Sequence, residues 1–181
     1  MESIRFARWE LSCDPASTRK AYATITKGGP EKCGCEPCLN FAAARGQIYE
    51  PNVLTLFEKL GISCDREVET YHMTRLESGR HLYGGWFHLV GSIVSGDDAV
   101  KQIAEKTWQP NLEETSEFFS LGFTSRLALV REPFVGLPLV QLEFAAKVPW
   151  VLAEKEPMNP SLGVRSSISD GITKRASRRA E

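Results

Sequence analysis

Apolar and polar positions along this chain change period several times, and each change predicts an element. Val68, Thr70, His72, Thr74 and Leu76 alternate with Glu67, Glu69, Tyr71, Met73 and Arg75, the two-residue period of a strand. Glu77-Ser78-Gly79-Arg80 reads as a turn and His81 to Val94 as the returning strand, so the pair forms an antiparallel hairpin. Gly84, Gly85 and Gly91 within it point to bulges or close backbone approach. Val140, Leu142, Phe144, Ala146 and Val148 alternate with Gln141, Glu143, Ala145 and Lys147, which predicts a strand with one wet face. Phe118 to Val130 has strand character through Phe119, Leu121 and Phe123. Ile4 to Leu11 reads as a first strand ended by the turn-prone Asp14-Pro15, and Tyr22 to Thr26 as a short strand broken by Gly28-Gly29-Pro30.

Three segments read as helices. Pro37 suits the first position of one that runs through Leu39, Phe41, Ala42 and Ala43 and stops at Gly46. Glu50-Pro51 opens the next, with a stripe of Val53, Leu54, Phe57 and Leu60 and a left-handed stop at Gly61; these two short helices are expected to pack as a pair. Ser95 to Thr107 is the third, capped by Ser95 or Asp97 and ended at Trp108-Gln109-Pro110. The whole is an α+β pattern: an antiparallel sheet with two or three short helices on one face, in a single domain over residues 1–152. From residue 153 to 181 Pro, Ser and charged residues dominate, ending in Lys174-Arg175-Ala176-Ser177-Arg178-Arg179, which predicts a disordered basic tail.

Composition narrows the function classes. At 181 residues, 42% hydrophobic and 25% charged, the chain can bury a core without disulfides. A formal net charge of -1 removes any general electrostatic case for a membrane or nucleic acid, leaving only the basic tail as a nucleic-acid contact. No apolar run approaches the roughly 20 residues of a membrane span, and Met1 to Arg8 lacks a signal-peptide core, so the expected location is the cytoplasm. Thiols are kept reduced there, so Cys13, Cys33, Cys35, Cys38 and Cys64 argue for metal or redox chemistry over a disulfide framework.

The chemistry concentrates in Cys33-Gly34-Cys35-Glu36-Pro37-Cys38. Zinc takes four tetrahedral ligands; Cys35 and Cys38 have chelating spacing, Cys33 adds a third, and Gly34 lets the backbone bend between them. The fourth ligand is expected from Cys13 or Cys64, with His72, His81 and His88 behind them. The following helix start stabilises thiolates, which also suits a thiol-disulfide oxidoreductase or redox sensor using Cys35 and Cys38 with Cys33 as resolving thiol. The surrounding order of elements does not match the βαβ setting of thioredoxin-like proteins. A third reading makes the cysteines small apolar packing residues. Copper(I) suits the same soft donors, whereas the spacing matches no ferredoxin run.

Elsewhere the signals are weaker. Tyr83, Trp86 and His88 are candidates to line a ligand pocket, against a reading as core packing; in a regular strand Trp86 and His88 share one face and Tyr83 lies on the other. Cys38 with His72 or His88, or Glu67, Glu69 and Glu143, supply loose catalytic ingredients without a defining spacing. No phosphate-binding loop is present. These observations favour a non-enzymatic binding or interaction domain, with a protein or small-molecule partner, over an enzyme.

The run Cys33 to Phe41, the run Tyr83-Gly84-Gly85-Trp86-Phe87-His88, and Leu142-Glu143-Phe144 with Val148-Pro149-Trp150-Val151-Leu152 together resemble a bacterial family of small cytosolic proteins of unassigned activity. The resemblance covers about residues 1–152 and implies a single domain with no particular ligand.

Overall fold

The computed structural model describes residues 1–105 and 107–153, so the expected tail lies, from residue 154, outside the described residues. An α+β fold is present, built on a largely antiparallel sheet. Strands β1 (Glu2–Phe6) and β2 (Trp9–Cys13) form a hairpin about Ala7-Arg8, where a single strand was expected. Ala7 adopts a left-handed φ of 47°, a conformation usually supplied by Gly or Asn, so its sequence carries no turn signal.

Asp14-Pro15 ends the strand segment as expected, with β2 stopping at Cys13, and it also starts helix α1 (Pro15–Ala23), which absorbs the strand expected at Tyr22. Asp14 Oδ1 accepts from the Ser17 N–H at 2.9 Å, and Pro15 occupies the position where a missing N–H costs nothing. The buried face of α1 is Thr18, Ala21 and Tyr22, too polar to show as an apolar stripe. Helices α2 (Gly29–Cys33), α3 (Glu36–Ala44) and α4 (Pro51–Leu60) follow, with a 3-10 turn over Arg45–Gln47. Helix α4 ends on Gly61 at φ 77°, as its sequence predicts, and a Cβ there would collide with the Pro15 carbonyl. The expected pairing of the helices changes accordingly: α3 packs on α2, and α4 packs on α1.

The predicted hairpin is β3 (Glu69–Arg75) and β4 (His81–Ser95). Strands β5 (Val100–Ala104) and β6 (Thr107–Pro110) form a separate hairpin where a helix was expected. The residues expected on one helical face, Val100, Ile103 and Ala104, form no buried stripe: Ile103 is 59% exposed and Ala104 is exposed as well. The base of this hairpin is instead drawn into extended pairing, with the Ala99 N–H donating to the Phe123 carbonyl and the Asn111 N–H to the Ala99 carbonyl. Strands β7 (Glu113–Glu114), β8 (Phe119–Thr124) and β9 (Leu139–Val148) complete the sheet, in the order β1-β2-β4-β9-β8-β7 with β3 also paired to β4. Among the described residues no helix is long and apolar enough to cross a membrane.

Strand β4 is fifteen residues long and carries two partners on one edge, β3 along its first half and β2 along its last residues. Between them the edge groups of His88 and Val90 have no strand to meet, and α1 fills the gap. The Tyr22 hydroxyl donates to the His88 carbonyl at 2.8 Å and accepts from the His88 N–H at 3.1 Å. Thr18 Oγ1 accepts from the Val90 N–H, and the Asp14 N–H donates to the Val90 carbonyl. No buried backbone group is left unpaired at the gap, as burial requires.

The core lies on the face of the sheet that carries Tyr83, Phe87, Leu89, Leu142 and Phe144, covered by Phe41 of α3 and Phe57 of α4. Gly85 belongs to this face because Phe144 occupies the space a Cβ would need. The opposite face, expected to be wet, is partly roofed by residues 128–134. The Ala128 N–H donates to Gln141 Oε1 at 2.8 Å, and the Phe134 ring meets His88 and Tyr22 edge-on.

Tyr22→Phe keeps the ring but leaves the His88 N–H and carbonyl unpaired, and is expected to cost about 2–6 kcal/mol in urea unfolding at pH 7, from about 1–3 kcal/mol per unsatisfied buried group.

Candidate metal centre

The cysteine segment is not a loop but a corner between two helices. Helix α2 ends at Cys33, Gly34 takes a left-handed φ of 66°, and Cys35 is the residue before α3 begins at Glu36. The Gly34 N–H donates to the Pro30 carbonyl and the Leu39 N–H to the Cys35 carbonyl, so both sides of the corner are held by helical bonds. This folding brings the sulfur atoms of Cys33, Cys35 and Cys38 within 4.8 Å of one another. Cys33 Sγ and Cys35 Sγ are 3.3 Å apart and exposed, while Cys38 is buried with its Sγ 3.8 Å from the Thr70 carbonyl.

The three thiols differ electrostatically. The backbone N–H of Cys35 aims at Cys33 and, with the neighbouring thiols, holds the Cys33 thiol below its ordinary range. Burial pushes the Cys38 thiol well above that range, and adjacent sulfur reinforces the shift. The corner thus favours charge on Cys33 and opposes it on Cys38, where a thiolate stabilised by the helix start was expected.

Two clamps position the corner. At one end the Tyr83 hydroxyl donates to the Pro37 carbonyl at 3.0 Å. Beside it Asn40, fully buried in α3, donates to the Pro149 carbonyl at 3.0 Å and accepts from the Val151 N–H at 2.7 Å. At the other end Arg45 bridges two carboxylates, Glu31 of α2 and the buried Glu67. Glu67 also accepts from the Tyr49 hydroxyl at 2.8 Å, and its carbonyl accepts from the Gly29 N–H at 2.7 Å. Gly29 lies so close to Val68 and Glu69 that a Cβ would sit 2.9 Å from the Val68 carbonyl oxygen. Burial raises the Glu67 carboxyl above its usual range even though Arg45 opposes the shift, so Arg45 is what allows Glu67 to be charged.

The other expected ligands lie elsewhere. Cys13 is fully buried at the end of β2, opposite Gly91, with its thiol pushed up to about 11 by burial. Cys64 is half-buried in the turn after α4, in the wall of a cavity of about 480 Å³ between α1 and α4. Neither belongs to the close trio, and no histidine or carboxylate among the described residues joins it. His72 and His81 instead face each other, Nε2 to Nδ1 at 2.8 Å, and His88 Nε2 meets Gln141 Oε1 at 3.1 Å.

The aromatic candidates do not converge on one pocket. Tyr83 lies in the core with its hydroxyl on α3, whereas Trp86 and His88 lie on the opposite face, the division their alternation predicts. Glu67 and Glu69 form no acid–base couple, because Glu67 is engaged by Arg45 and Tyr49. Sequence reasoning missed Arg45, Glu31 and Asn40; an Asn in the middle of an apolar helix is the one local sign that a buried polar partner awaits.

Arg45→Met strands the Glu67 carboxylate and is expected to cost about 3–5 kcal/mol at pH 7. In that variant the folded state must take up a proton at Glu67, so the folded protein binds more protons than the unfolded one above the ordinary carboxyl value of 4.5. The deficit relative to the parent protein therefore shrinks as pH falls from 7 towards 5, which urea titrations at the two pH values will read. No protein-family model matches the chain, and neither a curated protein nor a solved structure does.

Proposed function

We propose that this is a cytoplasmic, non-enzymatic binding domain that holds zinc at the α2–α3 corner through Cys33, Cys35 and Cys38. The observation that carries the reading is the convergence of three sulfur atoms within 4.8 Å on a corner clamped at both ends. Tetrahedral zinc with bonds of about 2.3 Å to sulfur requires sulfur atoms about 3.8 Å apart, so the trio needs only small side-chain adjustments. The Cys38 thiol, which faces the Thr70 carbonyl at 3.8 Å, loses its proton when metal binds. The extensive aromatic core folds the domain without metal, so zinc fixes the corner rather than the whole fold, and the corner presents a defined surface to a protein or small-molecule partner.

A thiol redox role is the second reading, favoured by the 3.3 Å approach of Cys33 and Cys35 and by the lowered Cys33 thiol. The reactive pair is then Cys33 with Cys35, because burial keeps Cys38 protonated.

Protein purified without an affinity tag is expected to carry about one zinc per chain by elemental analysis, as a single three-thiolate centre requires. Cys33→Ser, Cys35→Ser and Cys38→Ser each abolish retention, while Cys13→Ser and Cys64→Ser leave it intact. Chelation is expected to raise amide exchange in residues 29–40 with little change in the sheet. Metal-free protein that takes up no zinc, yet loses two thiols reversibly on mild oxidation, favours the redox reading.

A further inference from the structure

Three cysteine ligands leave a tetrahedral cation one position short, and no fourth group of this chain joins the trio among the described residues. Cys33 also forms part of the wall of a second cavity, about 320 Å³, bounded by α2, residues 66–69 and residues 129–134. The metal corner and this cavity are therefore adjacent, with Cys33 common to both.

The size and charge of the cavity restrict what it accepts. Its volume is at the lower end of the range of about 300–1,000 Å³ typical of small-molecule sites. Three cationic side chains, Lys32, Arg66 and Arg131, and three anionic ones, Glu67, Glu69 and Glu132, line it. Glu67 is neutralised by Arg45 and Arg66 by Asp65. Lys32, Arg131 and Glu132, all exposed, offer both cationic and anionic contacts, so the wall does not select a ligand of one charge. Leu129 in the same wall is held at a left-handed φ of 53°, a conformation costly for a side chain of its size.

Resting on the metal reading above, we propose that the open fourth position at Cys33, Cys35 and Cys38 is filled from this cavity by a small zwitterionic aminothiol of the cysteine type. The ligand's thiolate completes the coordination, its carboxylate meets Lys32 or Arg131, and its ammonium meets Glu132. A thiol group suits a cation already held by thiolates, and paired charges match a wall that carries charges of both signs. Binding is a ligand exchange: the aminothiol loses its thiol proton to solvent, its sulfur bonds to the metal, and a water leaves.

The test uses the full chain loaded with cobalt(II), whose visible bands report its ligands, with L-cysteine as the probe. The expected result is saturable change in the sulfur-to-cobalt bands with cobalt still bound after gel filtration. Alanine, lacking the thiol, should produce no change, and 2-mercaptoethanol, lacking both charges, should bind at least tenfold more weakly. Lys32→Ala and Arg131→Ala, both at exposed side chains, should each weaken the cysteine effect by about tenfold, the loss of one charge-assisted hydrogen bond. Bands that ignore L-cysteine, that respond equally to 2-mercaptoethanol, or that vanish because cobalt is stripped overturn the inference and leave the metal site standing. Failure to take up cobalt at all overturns the metal reading, and the inference falls with it.

Discussion

A long strand in the middle of a sheet must satisfy the hydrogen bonds of both its edges, and the architecture of this protein follows from how β4 meets that requirement. One edge is covered continuously by β9 over His81 to Val90. The other is shared by β3 and β2, which leave His88 and Val90 between them. Because buried backbone groups without partners are costly, this space must be filled, and α1 fills it with Tyr22, Thr18 and the backbone of Asp14. Both ends of the chain's first third are thereby fixed. The β1–β2 hairpin is held at the far part of β4, and the chain leaving α1 is delivered beside the start of β3.

The cysteine corner inherits its position from that arrangement. The chain after α1 runs through Gly28 and Gly29, which lie against the backbone of residues 65–69 because no side chain intervenes. Glu67 and Arg45 then tie α2 to the end of α3, while Tyr83 and Asn40 tie the start of α3 to β4 and to the segment after β9. The buried ion pair is a poor source of stability in itself, since the desolvation of two charges offsets most of their attraction. What it supplies is geometry: a corner of only a few residues keeps two exposed sulfur atoms and one buried one in register. Pre-organisation of this kind is what a binding site requires and what a flexible loop with the same three cysteines would lack.

Much of the sheet was legible because alternation is a direct image of one-sided burial. The β3–β4 hairpin, β8 and β9 show it, and α4 shows the helical equivalent in Val53, Phe57 and Leu60 with Gly61 at its end, although Leu54, expected in that stripe, is exposed and Leu56 is buried instead. The misreadings have specific causes. Helix α1 buries a hydroxyl, a methyl and a phenol, so its stripe is chemically mixed. The β1–β2 turn uses Ala7 in a conformation its side chain disfavours, with no glycine to announce it. The β5–β6 hairpin has apolar residues at helical spacing, but Ile103 faces outward, so the spacing carried no information about burial.

The sequence by itself determined that three thiols would be neighbours, because six residues bent at a glycine cannot separate them far, and that an α+β domain would surround them. Whether a fourth ligand would join was a different kind of question. Cys13 and Cys64 are separated from the cluster by about twenty or more residues of chain, and over such a distance position depends on which faces and edges pack, not on local spacing. Tertiary structure decided it: the pairing of β2 with β4 carries Cys13 into the core, and the packing of α4 on α1 leaves Cys64 in another cavity wall. The same long-range packing matched Arg45 with Glu31 and Glu67, and Tyr22 with the edge of β4. Such partnerships form between distant segments and have no periodicity to read, since each is set by the need to satisfy a buried polar group wherever the fold has placed it.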